Sequence, residues 1–213
     1  MSAHPQSPVP PEQARKNRRL LLILLASFVV PFLVGDLAYR LGWYEGGKTN
    51  HGRLINPPVA FAAMGARDDA GHALDAGFAD RHWWLLYVLP AECEAACRNR
   101  LFQMRQMPLA LGKEGDRLRL ALVVTAPLAP ATEAMLRKEF PGFARVQGEP
   151  ARIDAAFGSA TPAASRAGEL YVMDPMGWIM LAYAPEADAK RALAQGDDVF
   201  KDLVKLLKAS RIG

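Results

Sequence analysis

The hydrophobic positions fall into one long apolar run near the N-terminus and a series of short runs after it. Residues 20–41 begin with LLLILLASFVVPFLV and stay largely apolar to their end. A helix of about 20 such residues, rising about 1.5 Å per residue, spans the roughly 30 Å hydrocarbon core of a bilayer. No small-x-small cleavage site follows the run, so we expect an uncleaved transmembrane anchor rather than a signal peptide or a buried core helix.

Basic residues immediately before the anchor predict its orientation. The tail at residues 1–19 has one acidic residue, Glu12, against four basic ones: Arg15, Lys16, Arg18 and Arg19. Because such clusters stay on the cytoplasmic side, we expect a cytoplasmic N-terminus and a C-terminal domain across the membrane. The tail carries most of the formal net charge of +4. The remainder is nearly neutral, which argues against a nucleic-acid-binding protein.

The short runs after the anchor predict alternating strands and helices. The predicted elements are a strand at 83–89, a helix at 93–106 that stops before Pro108, a strand at 117–124, a helix at 132–140 that starts at Thr132, a hairpin of strands at 169–174 and 178–183, and a closing helix at 196–211. The order gives a parallel strand pair with a right-handed crossover, followed by a hairpin and a helix. We therefore expect an α/β fold, a three-layer sandwich of the thioredoxin type.

The chain divides into four segments. Residues 1–19 form a Pro-rich, basic cytoplasmic tail that we expect to be disordered, and residues 20–41 form the anchor. Residues 42–53 are Gly-rich without a hydrophobic period and predict a linker. Residues 54–213 are numerous enough for one hydrophobic core and form the thioredoxin-like extracytoplasmic domain.

Cys93 and Cys97 are the only cysteines, and they directly follow the first predicted strand. Open α/β sheets place their sites at the carboxyl ends of strands, and a helix N-terminus stabilises a thiolate. This position fits four alternatives: a redox pair, a Cu(I) site, a static disulfide or two inert thiols. A disulfide requires Cys93 to leave helical geometry, because helical i and i+4 Cβ atoms lie about 5 to 6 Å apart and a disulfide needs about 3.5 to 4.5 Å.

A metal site at this pair needs a further ligand. His51 lies in the linker and can fold back, whereas His82 precedes the first strand and lies at its far end from the cysteines. Either histidine is a candidate third donor. Met104 and Met176 add thioether sulfurs, although a core position explains Met104 equally well. No second Cys/His pair stands at zinc-ligand spacing.

Charged residues flank the cysteines on both sides. Arg98 and Arg100 favour a thiolate if a guanidinium lies close to a sulfur, while Glu92 and Glu94 act in the opposite direction. Solvated surface positions are the ordinary alternative for all four. The sequence leaves the sign of their combined effect open.

Four stretches carry a family resemblance: residues 50–56 (NHGRLIN), 83–97 with the Cys-x-x-x-Cys pair, 104–124 and 170–181. They resemble the Sco/SenC branch of thioredoxin-like proteins and, more closely, single-span bacterial membrane proteins that accompany cytochrome c oxidase assembly factors. The resemblance covers roughly residues 50–210. It implies an anchor in the bacterial inner membrane and a periplasmic thioredoxin fold that helps to mature the copper site of a haem-copper oxidase.

The same resemblance implies that Cys93 and Cys97 exchange thiols or handle Cu(I). The implied partners are the membrane and a cytochrome c oxidase subunit or its assembly factors. If Cys93 lies in the loop before the helix, we expect it to be the exposed, attacking thiol. The chain departs from Sco proteins at Glu94, where they have proline, and at residues 165–169, which lack the histidine that they supply there.

Two other functions stay open at this stage. A thiol-disulfide oxidoreductase with broad substrates uses the same two cysteines, although such enzymes usually have a two-residue spacing. A redox-silent scaffold uses the fold only to bind an assembly partner. The chain has no Gly-x-Ser-x-Gly, phosphate-loop, dinucleotide or His-Glu-x-x-His motif, so a thiol-disulfide oxidoreductase is the one enzyme class that the sequence supports.

Overall fold

In the N-terminal part of the chain, the described residues 11–40 form one long helix. A computed structural model describes residues 11–41, 50–158 and 166–210. The chain forms two compact units, Met1–Thr49 and Asn50–Gly213. Helix α1 of the first unit covers Pro11–Arg40, and its segment Arg15–Arg40 is long and apolar enough to cross a membrane. The large apolar side chains of this segment are exposed, as lipid contact requires.

The basic tail differs in part from its prediction. Residues 11–19, expected to be disordered, belong to α1, while residues 1–10 lie outside the described part of the chain. Pro11 suits the first position of a helix because its missing N–H has no partner there. The Glu, Gln, Ala, Arg and Lys residues that follow have high helix propensity, so the helix extends back from the apolar run.

The second unit is a six-stranded mixed sheet with helices on both faces. Its elements are β1 (Arg53–Ala60), β2 (Trp83–Leu89), α2 (Ala95–Ala110), β3 (Leu118–Val124), α3 (Pro130–Glu139), β4 (Ala144–Gln147), α4 (Pro150–Phe157), β5 (Leu170–Met173), β6 (Trp178–Tyr183) and α5 (Ala189–Ala209). The strand order is β1-β6-β5-β2-β3-β4. Strands β2, β3 and β4 are parallel, whereas β5 and β6 form a hairpin antiparallel to β2. This arrangement confirms the predicted α/β sandwich.

Strand β2 is buried at all seven positions because both faces of the sheet are covered. On one face, Leu85 belongs to a core that includes Leu101 of α2 and Leu203 of α5. On the other face, Leu86 belongs to a core that includes Ile153 of α4. The continuous apolar run WWLLYVL therefore matches a central strand between two helical layers.

Helices α2 and α3 begin and end differently from their predictions. Helix α2 begins at Ala95 rather than residue 93 and continues through Pro108 to Ala110. Pro108 removes only the bond to the Met104 carbonyl, and the Leu111 N–H resumes the pattern by donating to Met107 O. Helix α3 begins at Pro130, not at Thr132, whose side chain has a different hydrogen-bond partner.

Helix α5 begins at Ala189, before the predicted start at residue 196. Its N-cap is Asp188, whose carboxylate accepts a hydrogen bond from the Arg191 N–H at 2.9 Å. Gly196, expected as a boundary, lies inside the helix. A Cβ there would stand 3.1 Å from the Gln103 side chain, so glycine permits close approach of α2 and α5.

Three elements escaped prediction: β1, β4 and α4. Strand β1 contains Pro57 and Pro58, which argue against a strand, and its first residue, Arg53, falls in the predicted linker. It is an edge strand that, among the described strands, pairs with β6 alone, and an edge tolerates proline because one side of its backbone needs no partner. Strand β4 and helix α4 are too short for a periodic signal.

Candidate redox site

The two cysteines lie where β2 gives way to α2, and they form a disulfide. Strand β2 ends at Leu89, Glu94 is the N-cap of α2, and the helix starts at Ala95. Cys93 therefore lies in the loop, and Cys97 lies in the first helical turn. Their Cα atoms are 5.2 Å apart, so the departure of Cys93 from the helix supplies the geometry that a disulfide needs.

The two sulfur-bearing residues differ in burial. Cys97 is 5% exposed and packs in the core cluster beneath α2, while Cys93 is half-buried at the edge of that cluster. The backbone N–H of Cys93 donates to Thr132 Oγ1 of α3 at 3.1 Å. A second bond, from the Ala129 N–H to Ala91 O at 3.0 Å, joins the same loop to the start of α3. Two bonds therefore hold the loop against α3.

Each cysteine borders its own cleft. The cleft at Cys97 has a volume of ≈ 230 Å³. Its lining includes Tyr87, Arg100, Gln103, Gly168, Pro185 and Glu186. The cleft at Cys93 has a volume of ≈ 390 Å³. Its lining includes Glu92, Glu94, Arg98, Thr132 and Met135. An incoming disulfide or thiol that approaches by the second cleft reaches Cys93, the more exposed of the two cysteines.

The two arginines next to the pair have different environments. Arg98 is exposed and lies 3.4 Å from Glu139 in an ion pair, which is the solvated position considered above. Arg100 is 5% exposed, and burial lowers its pKa, an effect that Tyr87 and Glu186 oppose. Burial also raises the pKa of Tyr87 to about 12, so its hydroxyl is neutral near pH 7.

The candidate third metal donors lie away from the sulfurs. His82 precedes β2 and therefore lies at the opposite end of that strand, with Nδ1 2.6 Å from Asp80 O. His51 Nδ1 lies 3.3 Å from Asp198 Oδ1 on α5, and His51 does not line either cysteine cleft. Met104 is 1% exposed in the core. Met176 is exposed at the β5–β6 turn, which the antiparallel pairing of β5 with β2 places at the far end of the sheet.

The side chains near the disulfide do not fit a three-ligand copper centre. Within residues 11–41, 50–158 and 166–210, no group of three or more His, Cys, Asp or Glu residues could hold a metal ion. The segment in which Sco proteins supply a histidine contributes Ala167 and Gly168 to the Cys97 cleft. The arrangement has the parts for thiol-disulfide exchange: one half-buried cysteine and one buried cysteine, whose sulfurs bond to each other.

Two neighbours of the pair, Thr132 and Arg100, have no decisive signal in the sequence. Thr132 was expected only as the start of a helix, and its contact with Cys93 joins residues far apart in the chain. Arg100 was indistinguishable from Arg98 by residue type. The spacing held a clue, because Cys97, Arg100, Leu101 and Met104 follow the i, i+3, i+4, i+7 pattern of a buried helix face.

Comparison with known proteins agrees with this fold. Residues 83–210 match the family described as "Transmembrane-like, thioredoxin-like, C-terminal domain", which covers more than half of the chain. The chain belongs to this family. It has a Sco-like thioredoxin fold and a single N-terminal helix that forms a single-pass membrane anchor. No curated protein sequence matches it.

Solved structures of Sco proteins share the fold. Apo Sco1 from Thermus thermophilus is 19% identical with a TM-score of 0.53, and the match covers 76% of this chain and 99% of that one. Yeast Sco1 with copper bound is 16% identical with a TM-score of 0.51, and the match covers 77% and 96% of the two chains. A further structure of yeast Sco1 is 16% identical with a TM-score of 0.50, with 77% and 98% covered. At these identities the likeness concerns the fold alone.

Proposed function

We propose that the protein is a membrane-anchored, Sco-like factor that assists maturation of the copper site of cytochrome c oxidase by thiol-disulfide exchange. The disulfide between Cys93 in the loop and Cys97 in the first turn of α2 carries this proposal. It lies at the carboxyl end of β2, where open α/β sheets place their sites. The resemblance of residues 50–210 to Sco-like proteins supports the choice of the oxidase as the target.

The exchange proceeds in two steps from the reduced pair. The Cys93 thiolate attacks one sulfur of a partner's disulfide, a Cys93–partner bond forms, and the partner's first thiolate leaves. The Cys97 thiolate then attacks the Cys93 sulfur, the mixed disulfide breaks, and the partner's second thiolate leaves. Two electrons pass to the partner, and the pair becomes the Cys93–Cys97 disulfide that the structure holds. A dithiol of another protein returns the pair to its reduced form.

Reduction of a cysteine pair is a chemical requirement for copper insertion. Metals bind the thiolate form of cysteine, and Cu(I) prefers thiolate ligands, so a partner whose ligands are oxidised must be reduced first. Tethering by α1 raises the effective concentration of the domain beside a membrane-bound partner. The proposed location is the bacterial inner membrane, with residues 1–19 in the cytoplasm and the domain in the periplasm. Four basic residues in that tail support this orientation.

Cu(I) as cargo is the less supported form of the same function. The two thiolates of the reduced pair are soft donors that suit Cu(I). Against it, neither His51 nor His82 lies beside the sulfurs. Anaerobic titration of the reduced full-length protein with Cu(I) in the presence of a competing chelator measures this directly, and we expect no retention of one Cu(I) per chain.

The proposal is tested in membranes of the source cell by the copper content and activity of the oxidase. We expect the Cys93→Ser/Cys97→Ser double variant to lose oxidase copper as completely as deletion of the protein does. Dithiothreitol supplied with copper should restore it, because the missing step is reduction. Met176→Ala, an exposed change at the far end of the sheet, is the control.

Three outcomes separate the functions. Normal oxidase copper in the double variant, together with failure on deletion, would identify a redox-silent scaffold. Normal oxidase copper on deletion, together with reduction of unrelated disulfide proteins, would identify a broad thiol-disulfide oxidoreductase. Failure that dithiothreitol does not relieve, together with tight Cu(I) binding, would identify copper delivery.

A further inference from the structure

Arg100 is a buried cation in the cleft beside Cys97. It is 5% exposed, lines the same ≈ 230 Å³ cleft as Cys97, and lies three residues further along α2. Residues at i and i+3 are neighbours on a helix surface, with Cβ atoms about 5 to 6 Å apart. A buried charge normally has an opposite charge as its partner. Arg100 does not.

The hydrogen-bond partners of Arg100 are two neutral amides. Its Nη1 donates to Gln103 Oε1 at 3.0 Å, and its Nη2 donates to Gln195 Oε1. The Nε2 atoms of both glutamines donate to backbone carbonyls, that of Gln103 to Ala192 O at 2.9 Å and that of Gln195 to Ala184 O at 3.1 Å. These bonds fix both amide oxygens towards the guanidinium. Each Nη atom of Arg100 therefore donates to a glutamine oxygen, and neither glutamine brings a negative charge to the guanidinium.

The other titratable groups around Arg100 do not remove that charge. Tyr87 of β2 is neutral near pH 7, and the Tyr183 hydroxyl of β6 donates to Asp202. Three carboxylates also line the cleft: Glu92, Glu94 and Glu186. Among the residues that the structure describes, none of them lies within 4.0 Å of Arg100 in an ion pair. Glu186 instead accepts a hydrogen bond from the Asp188 N–H at 3.0 Å.

We infer that Arg100 is a positioning residue for the second exchange step, in which its positive charge, which forms no ion pair among the described residues, stabilises the Cys97 thiolate that releases the partner. Cys97 needs such a group because burial disfavours a thiolate, and Cys97 is 5% exposed. The N-terminal end of α2 acts in the same direction. Cys93 is half-buried and borders the other cleft, so its attack on the partner does not depend on Arg100. The inference rests on the proposed exchange function.

The inferred step balances without a further reagent. The Cys97 thiolate forms a bond to Cys93 Sγ, the bond between Cys93 and the partner sulfur breaks, and the electron pair of that bond leaves on the partner's thiolate. Negative charge moves from the Arg100 side of the pair to the partner. Loss of the Arg100 charge should therefore slow this step and leave the first attack unchanged.

The experiment uses the reduced full-length protein in detergent and bis(2-hydroxyethyl) disulfide as the partner. This disulfide is neutral, so Arg100 cannot attract it by charge. Acid quenching and intact-mass measurement follow two quantities: formation of the Cys93 adduct and its conversion to the Cys93–Cys97 disulfide. In Arg100→Gln we expect conversion to slow about tenfold, because an adjacent opposite charge favours a thiolate by at least about that factor.

Further variants separate charge from shape. Gln195→Glu keeps Arg100 in place but sets a carboxylate against it, so we expect conversion to slow as in Arg100→Gln. Arg100→Lys retains the charge and should convert at nearly the wild-type rate. Arg119→Gln removes an exposed charge at the amino end of β3, and Gln106→Glu adds an exposed one on α2. Both controls should behave as the wild type does.

The inference and the proposed function fail in different ways. If Arg100→Gln and Gln195→Glu convert as fast as the wild type, or if Arg100→Lys is as slow as Arg100→Gln, the charge of Arg100 has no part in the step. If adduct formation slows together with conversion, Arg100 acts on the whole loop and the inference is overturned. If the wild type forms no adduct with the disulfide, the proposed exchange function itself is wrong.

Discussion

The backbone N–H of Cys93 donates a hydrogen bond to the hydroxyl of Thr132, 3.1 Å away on the first turn of α3. The two residues are far apart in the chain, so the contact ties the cysteine loop to the helix that follows β3. Thr132 is 4% exposed. Because the hydroxyl is buried, this bond holds the backbone of the half-buried cysteine in place.

Replacement of Thr132 by Val should loosen this loop. The Cys93 N–H would lose its partner, and an unpaired, partly buried donor costs about 1 kcal/mol of unfolding free energy. We expect Thr132→Val to lose about that amount and Thr132→Ser to retain most of it. Urea unfolding of the fragment 42–213, which the division of the chain at Asn50 predicts to fold alone, measures the difference. Equal stability of the two variants would mean that the bond is unimportant.

The start of the domain is held by a buried carboxylate on α5. Asp202 Oδ2 accepts hydrogen bonds from the N–H groups of His51 and Gly52, at 2.8 and 2.9 Å, and from the Tyr183 hydroxyl at 2.8 Å. Asp202→Asn replaces a charged acceptor by a weaker one and should lower the free energy of unfolding by about 2 kcal/mol. Asp197→Asn, an exposed change on the same helix, should lower it little. Similar losses in both variants would contradict this reading.

Alkaline pH should weaken the domain through Tyr87. Burial raises the pKa of Tyr87 from its ordinary value of 10.0 to about 12. The folded state holds this proton where the unfolded chain has lost it, so the stabilising contribution is complete below pH 10 and disappears as the pH rises through about 12. In urea unfolding at pH 9 and pH 11, Tyr87→Phe should lose less stability with pH than the wild type. An identical pH dependence would show that Tyr87 ionises normally.

Topology reporters test the orientation of the anchor. Alkaline phosphatase fused after residue 213 should be active, because we place the domain in the periplasm, and green fluorescent protein at the same position should be dark. Replacing Arg15, Lys16, Arg18 and Arg19 together by Gln should reduce the phosphatase signal, since these residues hold the N-terminus in the cytoplasm. Fluorescence of the C-terminal fusion in the wild type would show that the domain lies in the cytoplasm and not in the periplasm, where the proposed function places it.

Local sequence signals were sufficient for much of the fold. Strand β2 is apolar throughout and ends at Pro90, and the turn Pro175-Met176-Gly177 separates β5 from β6. Each of these signals spans only a few residues, so it can be recognised in the sequence without knowledge of tertiary contacts. Together with the family resemblance, they placed both cysteines directly after β2.

Features set by distant contacts could not be read in the same way. Gly196, the predicted start of α5, lies inside the helix, where it faces Gln103 of α2. Strand β1 contains two prolines, and it is a strand only because β6 offers an edge. The environment of Arg100 depends on Gln195, a residue on another helix. Gln195 accepts a hydrogen bond from Arg100 through a neutral amide oxygen, so the two residues form no ion pair.

The central claim is that Cys93 and Cys97 exchange disulfides with a membrane-bound partner, Cys93 first and Cys97 second. The most direct measurement is to express tagged Cys97→Ser and Cys93→Ser proteins in their own membranes, block free thiols with acid and N-ethylmaleimide, and resolve covalent complexes on non-reducing gels. We predict that Cys97→Ser accumulates a mixed disulfide with an oxidase subunit or assembly factor, which dithiothreitol releases, and that Cys93→Ser accumulates none. Absence of a trapped species from both variants, with equal alkylation of the two cysteines in the reduced wild type, would contradict the account and leave the disulfide a structural role.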